Sequence, residues 1–141
     1  MNIVKNIFDF CRARSTPATS IHETKDDLLM RYIQFCLFHG KVAIAFQDGK
    51  IETLVFWWPD TLVNIQEKHA TGKPQFEWVP TKRGDCLFLS DLIGNMKGVK
   101  KITKALMSKW PAMANVPVYT YRHGRLMQVP PRGIERVHAS A

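Results

Sequence analysis

Residues 86–110 constrain the fold more than any other part of the chain. The apolar residues of this segment run up to Asp91, Gly94 and Gly98 follow, and a basic stretch with helical periodicity then begins. This order predicts a strand, a glycine-bearing turn and an amphipathic helix. The N–H groups at the start of such a helix can hold a phosphate or an anionic cofactor arm. The same turn can equally join a strand to a packed helix, because two glycines alone are a weak motif.

The composition predicts one folded domain with its own core. The chain has 141 residues, of which 45% are hydrophobic, and its apolar runs fall far short of the ~20 residues that a membrane span needs. Charged residues interrupt the apolar ones near the N-terminus, a pattern that lacks a signal-peptide core, so we expect a cytoplasmic protein. We expect a single domain over 1–141, with 1–20 as a helix and connector and 130–141 as a loosely attached tail.

The positive charge is concentrated in the second half of the chain. The formal net charge is +8, and residues 1–67 hold 7 Lys and Arg against 8 Asp and Glu, whereas residues 68–141 hold 13 against 4. Such a field favours an anionic partner, which can be nucleic acid, a phosphorylated cofactor or an acidic protein. Charge alone does not choose among them.

The three cysteines predict reduced thiols. Cys11, Cys36 and Cys86 are widely spaced, and no CxxC or HxxxH pair accompanies them, so the sequence predicts no zinc site. Cys36 and Cys86 lie within apolar stretches and are expected to be small core residues.

Helices are predicted near the N-terminus and after the first hairpin. Apolar residues at three- and four-residue steps indicate a first helix that ends near Arg14. Thr24, followed by Asp27 three residues later, predicts the start of a second helix, and Gly40 predicts its end. Asp60 can cap a short third helix.

A hairpin is the best-supported pair of strands. Residues 42–46 and 51–58 are rich in β-forming residues and flank Asp48-Gly49, which is the strongest short-range hairpin signal. Further apolar runs predict strands over 76–79, 86–90, 116–122 and 125–129. A strand–helix–strand unit that follows an antiparallel hairpin implies an α+β fold, with a mixed, mainly antiparallel sheet and helices packed on both faces.

The order of elements resembles that of the GNAT-like acyltransferases over roughly residues 20–130. In that family two N-terminal helices precede a hairpin, and a central strand delivers the turn and helix that hold the cofactor pyrophosphate. The family turn usually reads Arg or Gln, two residues, Gly, one residue, then Gly or Ala. Here the matching segment is Asn95-Met96-Lys97-Gly98-Val99-Lys100, in which Gly98 fits and Asn95 and Lys100 depart. The resemblance implies that an acyl-CoA or phosphopantetheine arm is bound by Gly94, Asn95, Lys97, Gly98, Val99 and Lys100.

The chain also looks like the bacterial toxin-activating lysine acyltransferases, which take a fatty acyl group from acyl carrier protein. Those enzymes use a histidine shortly before the first long helix and an aspartate at the end of the central strand. His22 and Asp91 occupy comparable places. The resemblance implies that His22 accepts a proton from a lysine amine and that Asp91 orients the imidazole or steadies its charged form. Otherwise His22 is a surface or capping residue, and Asp91 accepts hydrogen bonds from the turn after the strand.

Two other functions stay open. The departures at Asn95 and Lys100 favour a non-catalytic structural or interaction protein of the same fold, as in phage or other mobile-element relatives. A basic module that binds nucleic acid would use the lysines of residues 97–109 against phosphates, without reading sequence. Of the three, we expect the acyltransferase, with acyl carrier protein or another acidic protein as its partner.

Overall fold

A mixed five-stranded sheet with helices on both faces forms the described part of the protein. The computed structural model describes residues 2–17, 19–73, 77–109, 111, 115–122 and 125–129. Its elements are α1 (Ile3–Arg14), α2 (Asp26–Phe38), β1 (Val42–Gln47), β2 (Lys50–Asp60), α3 (Leu62–Ala70), β3 (Cys86–Gly94), α4 (Met96–Lys109), β4 (Val118–Arg122) and β5 (Arg125–Val129). The predicted α+β class is confirmed. Within these ranges, every helix is too short or too polar to cross a bilayer.

The described strands lie in chain order, and one of their four neighbouring pairs, β3 with β4, is parallel. β3 and β4 run parallel, with α4 as the crossover, and the other neighbouring pairs are antiparallel. The parallel register is short, because residues 87–89 pair with 118–120 whereas β3 continues to Gly94. At its last step the Thr120 hydroxyl donates to the Leu89 carbonyl at 2.8 Å. Beyond Leu89, β3 therefore keeps β2 as its one partner among the described strands.

The two faces of the sheet carry separate hydrophobic cores. On one face, Ile102 and Leu106 of α4 pack against β-strand residues that include Val55. On the other face, α1 and α2 pack together over Phe56, and α3 packs over Trp58. This division follows from the alternation of side chains along β2. The three cysteines are free and buried, which confirms the predicted core positions of Cys36 and Cys86 and adds Cys11 to them.

The predicted hairpin is confirmed. Asp48 and Gly49 have φ values of 52° and 76°, which a two-residue turn of type I′ requires at both positions. β2 is longer than predicted and runs through Pro59 to Asp60.

Two predicted helix caps are wrong. α2 begins at Asp26, and the Thr24 hydroxyl donates to the Ser20 carbonyl instead of capping the helix. α3 is capped by Thr61, whose hydroxyl accepts from the Asn64 N–H at 3.2 Å. In both cases the residue that the sequence favours as a cap is already engaged in a tertiary or turn contact.

Other predictions fall at or beyond the edge of the described residues. Of the strand predicted over 76–79, residue 76 is outside them, and residues 77–79 are not in a strand. Residues 123 and 124, which separate the last two predicted strands, and the tail over 130–141 also lie outside the described residues.

Candidate functional site

Asp91 lies within β3, not at its end as predicted. Phe56 pairs with Asp91 and Trp57 pairs with Leu89, so Ser90 is an extra residue in a β-bulge. The bulge lets the Asp91 side chain reach the connector between α1 and α2, on the face that Phe56 also occupies.

The Asp91 carboxylate is buried and has no cationic partner among the described residues. It is 4% exposed, its Oδ1 accepts from the Ser20 N–H at 2.7 Å, and its Oδ2 accepts from the Ser20 hydroxyl at 2.6 Å. No ion pair joins it to any residue that the structure describes. Burial raises the pKa of Asp91 to about 6, although hydrogen bonds from Ser20 and Ser90 lower it. A carboxyl group with these properties can change its charge near neutral pH.

The segment that carries His22 is held in place from both sides. Ser20 is anchored to Asp91, and the Ile21 side chain is fully buried in the core between α1 and α2. Arg12 of α1 donates to the carbonyls of Ile21 and His22 at 3.2 and 3.4 Å, and it also donates to the carbonyl of Thr24. The backbone of His22 is therefore fixed two residues from the group that binds Asp91.

The imidazole of His22 is supported by Ser15 and not by Asp91. Nδ1 of the half-buried His22 lies 3.2 Å from the Ser15 hydroxyl oxygen, while Ser20 binds both carboxylate oxygens of Asp91. The expectation that Asp91 orients the imidazole directly is thus corrected. If Nδ1 carries the proton and donates to Ser15, then Nε2 has a free lone pair, since no described residue bonds to it.

The predicted cofactor turn is shorter than expected. α4 begins at Met96, so Asn95 alone separates it from Gly94, and Gly98 lies in the first turn of the helix. The Asn95 side-chain oxygen accepts from the Gly98 N–H at 3.0 Å and caps the helix. Thr53 accepts from the Asn95 N–H at 3.1 Å and donates to the Asn95 carbonyl at 2.8 Å.

Gly94 and Gly98 allow close packing between α4 and the sheet. A Cβ atom at Gly98 would overlap the Thr53 side chain, and one at Gly94 would overlap the backbone of Glu52 and Thr53. Gly94 also has a φ of 121°, which side chains rarely tolerate. Both glycines therefore have a packing role that explains them fully.

A second buried carboxylate lies beside this turn. Glu52 accepts from the Lys101 ammonium at 3.2 Å, and its Oε2 has no hydrogen-bond partner within the described ranges. Glu52 and Asn95 line a cavity of about 330 Å³. A pyrophosphate here would meet a buried negative charge and a Gly98 amide that is already engaged. The residues present do not fit the coenzyme A cradle that the family resemblance implies for Gly94 to Lys100.

The remaining residues of the predicted turn lie on α4. Val99 and Lys100 are half-buried, whereas Lys97 is exposed and so is Lys104 one turn further on. These lysines give the outer side of α4 a positive charge.

Sequence reasoning missed three residues that build the site: Arg12, Ser15 and Ser20. Ser20 and Asp91 are 71 positions apart, and no local pattern predicts contact over that distance. The one available signal was Ile21, a lone apolar residue between two polar ones, whose burial fixes its neighbours. No group of three His, Cys, Asp or Glu side chains in the described ranges is placed to hold a metal ion.

Comparison with known proteins adds no relative. No family model, curated protein or solved structure matches this chain.

Proposed function

We propose that the protein is an N-acyltransferase of GNAT-like fold that moves an acyl group from a thioester of acyl carrier protein to an amine, such as the side chain of a lysine. The observation that carries this proposal is the burial of Asp91 with no cation bound to it in the described ranges, at the place where β3 runs beyond β4. Through Ser20, this carboxylate holds the segment that presents His22. A buried, unpaired carboxylate beside a supported histidine is typical of a reaction site.

In the proposed reaction His22 is the general base. Its Nε2 accepts a proton from the acceptor amine as the nitrogen attacks the thioester carbonyl carbon. The new C–N bond forms, the C–S bond breaks, and the departing thiolate takes the proton back from the imidazolium. General base catalysis of this kind contributes about 10²- to 10⁴-fold.

Asp91 is a positioning residue in this scheme. It binds Ser20 through both carboxylate oxygens, and Ser20 is two residues from His22. Its negative charge also favours the imidazolium that forms during the reaction. Replacement by Asn is expected to keep the shape of the contact and to lose that charge.

The geometry of the α4 turn supports a carrier protein as donor over free acyl-CoA. Coenzyme A brings a pyrophosphate, whereas the Gly98 amide is capped and Glu52 is buried nearby. A carrier protein delivers its arm through contacts between protein surfaces, and an acidic carrier matches the exposed Lys97 and Lys104.

The test measures acyl transfer directly. The full-length protein is incubated with fatty acyl carrier protein and a set of lysine-containing peptides, and mass spectrometry follows loss of acyl group from the carrier and gain on the peptides or on the protein itself. We expect His22→Ala to lower the rate at least 100-fold and Asp91→Asn to lower it with the fold intact. His69→Ala is the matched control, because His69 is an exposed histidine at the end of α3.

Binding data provide a second test that does not depend on finding the acceptor. Calorimetric titration should detect acyl carrier protein but give little or no heat with acyl-CoA. Absence of binding to both donors would overturn the proposal.

The closed α4 turn favours a second candidate, a non-catalytic interaction protein of the same fold. The Gly98 N–H is bonded to the Asn95 side chain and the Asn95 N–H to the Thr53 hydroxyl, so neither amide is left to bind a cofactor. This is expected if the turn only connects two packed elements. This candidate predicts a stable complex with a partner protein that His22→Ala and Asp91→Asn leave unchanged.

A further inference from the structure

An apolar groove lies between α2 and residues 77–82. Two cavities of about 320 and 440 Å³ lie here and share Phe35 and Val79 as lining residues. Both side chains are open to solvent, with exposed fractions of 41% for Phe35 and 68% for Val79. Because the cavities share these two side chains, they adjoin each other on the α2 side of the molecule.

Among the described residues that line the larger cavity, two are lysines and none is acidic. Lys41 and Lys82 both line it, and neither forms an ion pair with a residue that the structure describes. The Lys41 ammonium lies 5.5 Å from the centre of the Trp57 ring, a cation–π contact that supplies no negative charge. Burial, and then the nearby charge of Lys82, lower the pKa of Lys41. Two cations beside one apolar surface repel each other until an anion lies between them.

The smaller cavity has balanced charges. Arg31 and Glu77 both line it, together with Tyr32 and Trp78. The uncompensated positive charge of the groove is therefore at one end, near Lys41 and Lys82, and the apolar surface extends away from it along Phe35 and Val79.

We propose that this groove binds an amphipathic organic anion, a molecule with an apolar chain and a single carboxylate or phosphate group. The chain lies along Phe35 and Val79, and the anionic group lies between the ammonium groups of Lys41 and Lys82. Charge-assisted hydrogen bonds to these lysines fix its orientation. The cavity volumes are in the range of small-molecule sites. This site is separate from the acyl transfer proposed above and does not depend on it.

The charge pattern favours a small anion over a protein partner. Two neighbouring ammonium groups at one end of a narrow apolar depression match one anionic group, whereas Phe38, the most exposed aromatic side chain of α2 at 85%, lies outside the lining of both cavities. A protein interface on this side would be expected to cover Phe38 as well. That difference provides a matched control.

The test is a calorimetric titration of the full-length protein with ligands that share one chain and differ in their head group. The probes are dodecanoate, dodecyl phosphate and dodecyltrimethylammonium, each below its micelle-forming concentration. We expect saturable binding of one anion per chain, at least tenfold tighter than binding of the cation. Dodecanoate and dodecyl phosphate together show which anionic group the lysines prefer.

Two variants and their controls locate the site. Lys82→Gln is expected to weaken dodecanoate binding about tenfold because it removes a charge-assisted hydrogen bond. Phe35→Ala is expected to weaken it about fivefold through lost apolar contact. Lys104→Gln, at an exposed lysine of α4, and Phe38→Ala should change the affinity less than twofold. Circular dichroism checks that each variant is folded.

Four results would overturn the proposal. They are no saturable binding of either anion by the folded protein, equal binding of anion and cation, unchanged affinity in folded Lys82→Gln, and self-association that Phe35→Ala abolishes but dodecanoate does not affect. The last result would identify the groove as an interface between copies of this chain.

Discussion

The two buried aspartates of the described residues, Asp60 and Asp91, lie on neighbouring strands and have opposite surroundings. Asp60, with 0% exposure, accepts from the Lys68 ammonium at 2.7 Å, from the Trp58 indole at 3.0 Å and from the Thr61 N–H at 2.8 Å. Asp91 has no cation within the described ranges and takes both of its shortest hydrogen bonds from Ser20.

This contrast separates a structural carboxylate from one that is suited to chemistry. The charge of Asp60 is balanced by a bonded ammonium, and its partners join the end of β2 to α3. Asp91 is equally buried, but only neutral donors bind it, so its ionised form is costly and its pKa rises to about 6 because of burial. Of the two buried carboxylates, Asp60 has its charge balanced by an ammonium group, whereas Asp91 is bound by hydrogen-bond donors without a balancing cation in the described ranges.

The largest expected effect is at Asp60. Asp60→Ala leaves the Lys68 ammonium and the Trp58 indole without their acceptor, and breaking a buried ion pair in this way costs about 3 to 5 kcal/mol. Urea unfolding at pH 7 measures the loss. Asp85→Ala is the control, because Asp85 is exposed, and its effect should be within about 0.5 kcal/mol. A loss below about 1 kcal/mol at Asp60 would remove the contrast between the two sites.

The next effect is a pH dependence that belongs to Asp91. Because its pKa is about 6 in the folded state and 3.8 ordinarily, the native protein keeps a proton that the unfolded chain loses between these values. The resulting stabilisation is fully present below about pH 4 and is lost as the pH rises through about 6. Relative to the wild type, Asp91→Asn should therefore gain up to about 3 kcal/mol between pH 4 and pH 7.

Urea midpoints of both proteins at pH 4, 5, 6 and 7 check this prediction. The difference between the two curves is the informative quantity, since every other titrating group is common to both. Parallel curves would mean that Asp91 titrates in the folded protein as it does in the unfolded chain.

A smaller effect tests the turn that follows Asp91. At an open helix position Gly→Ala stabilises by about 1 kcal/mol, but a Cβ at Gly98 would overlap Thr53, and overpacking of this kind costs about 1 to 3 kcal/mol. Gly98→Ala is therefore expected to lower the free energy of unfolding. Ser108→Ala, at an exposed position of the same helix, is the control and should change stability little. Stabilisation by Gly98→Ala would indicate an open cleft here and would revive coenzyme A as the donor.

The smallest effect concerns the hydroxyl that binds Asp91. Ser20→Ala removes one of the hydrogen bonds that lower the pKa of Asp91, so the pH-dependent step should move to higher pH, with a loss of about 1 kcal/mol at pH 7. Infrared titration of the carboxyl band, with Asp91→Asn as the reference, follows the shift. An unchanged midpoint would mean that the Ser20 hydroxyl does not contribute to the pKa of Asp91, which burial, the Ser20 N–H and Ser90 would then set.

The element order was predictable from the sequence because each element carries a local signal. The Asp48-Gly49 turn, the apolar periodicity of α1 and the Gly40 stop all act within a few residues, and the structure confirms them. A boundary failed where one local contact outweighs another, as at Thr24, whose hydroxyl donates to the Ser20 carbonyl four residues earlier instead of capping α2.

The candidate site was only partly predictable. The proximity of Asp91 and the His22 segment depends on a bulge at Ser90 and on a contact that spans 71 positions, and neither has a local signature. Likewise, Gly98 does mark a place where a side chain would not fit. The sequence could not tell whether that space is occupied by a ligand or by Thr53.

Through the Arg12 side chain, the N-terminal helix α1 holds the segment that carries His22. One guanidinium group joins α1 to three backbone carbonyls of the connector, those of Ile21, His22 and Thr24. If α1 separated from the rest of the fold, all three carbonyls would lose their hydrogen bonds to Arg12 together, and the His22 backbone would no longer be fixed. A binding partner that displaced this helix would therefore free the His22 segment without touching either His22 or Asp91.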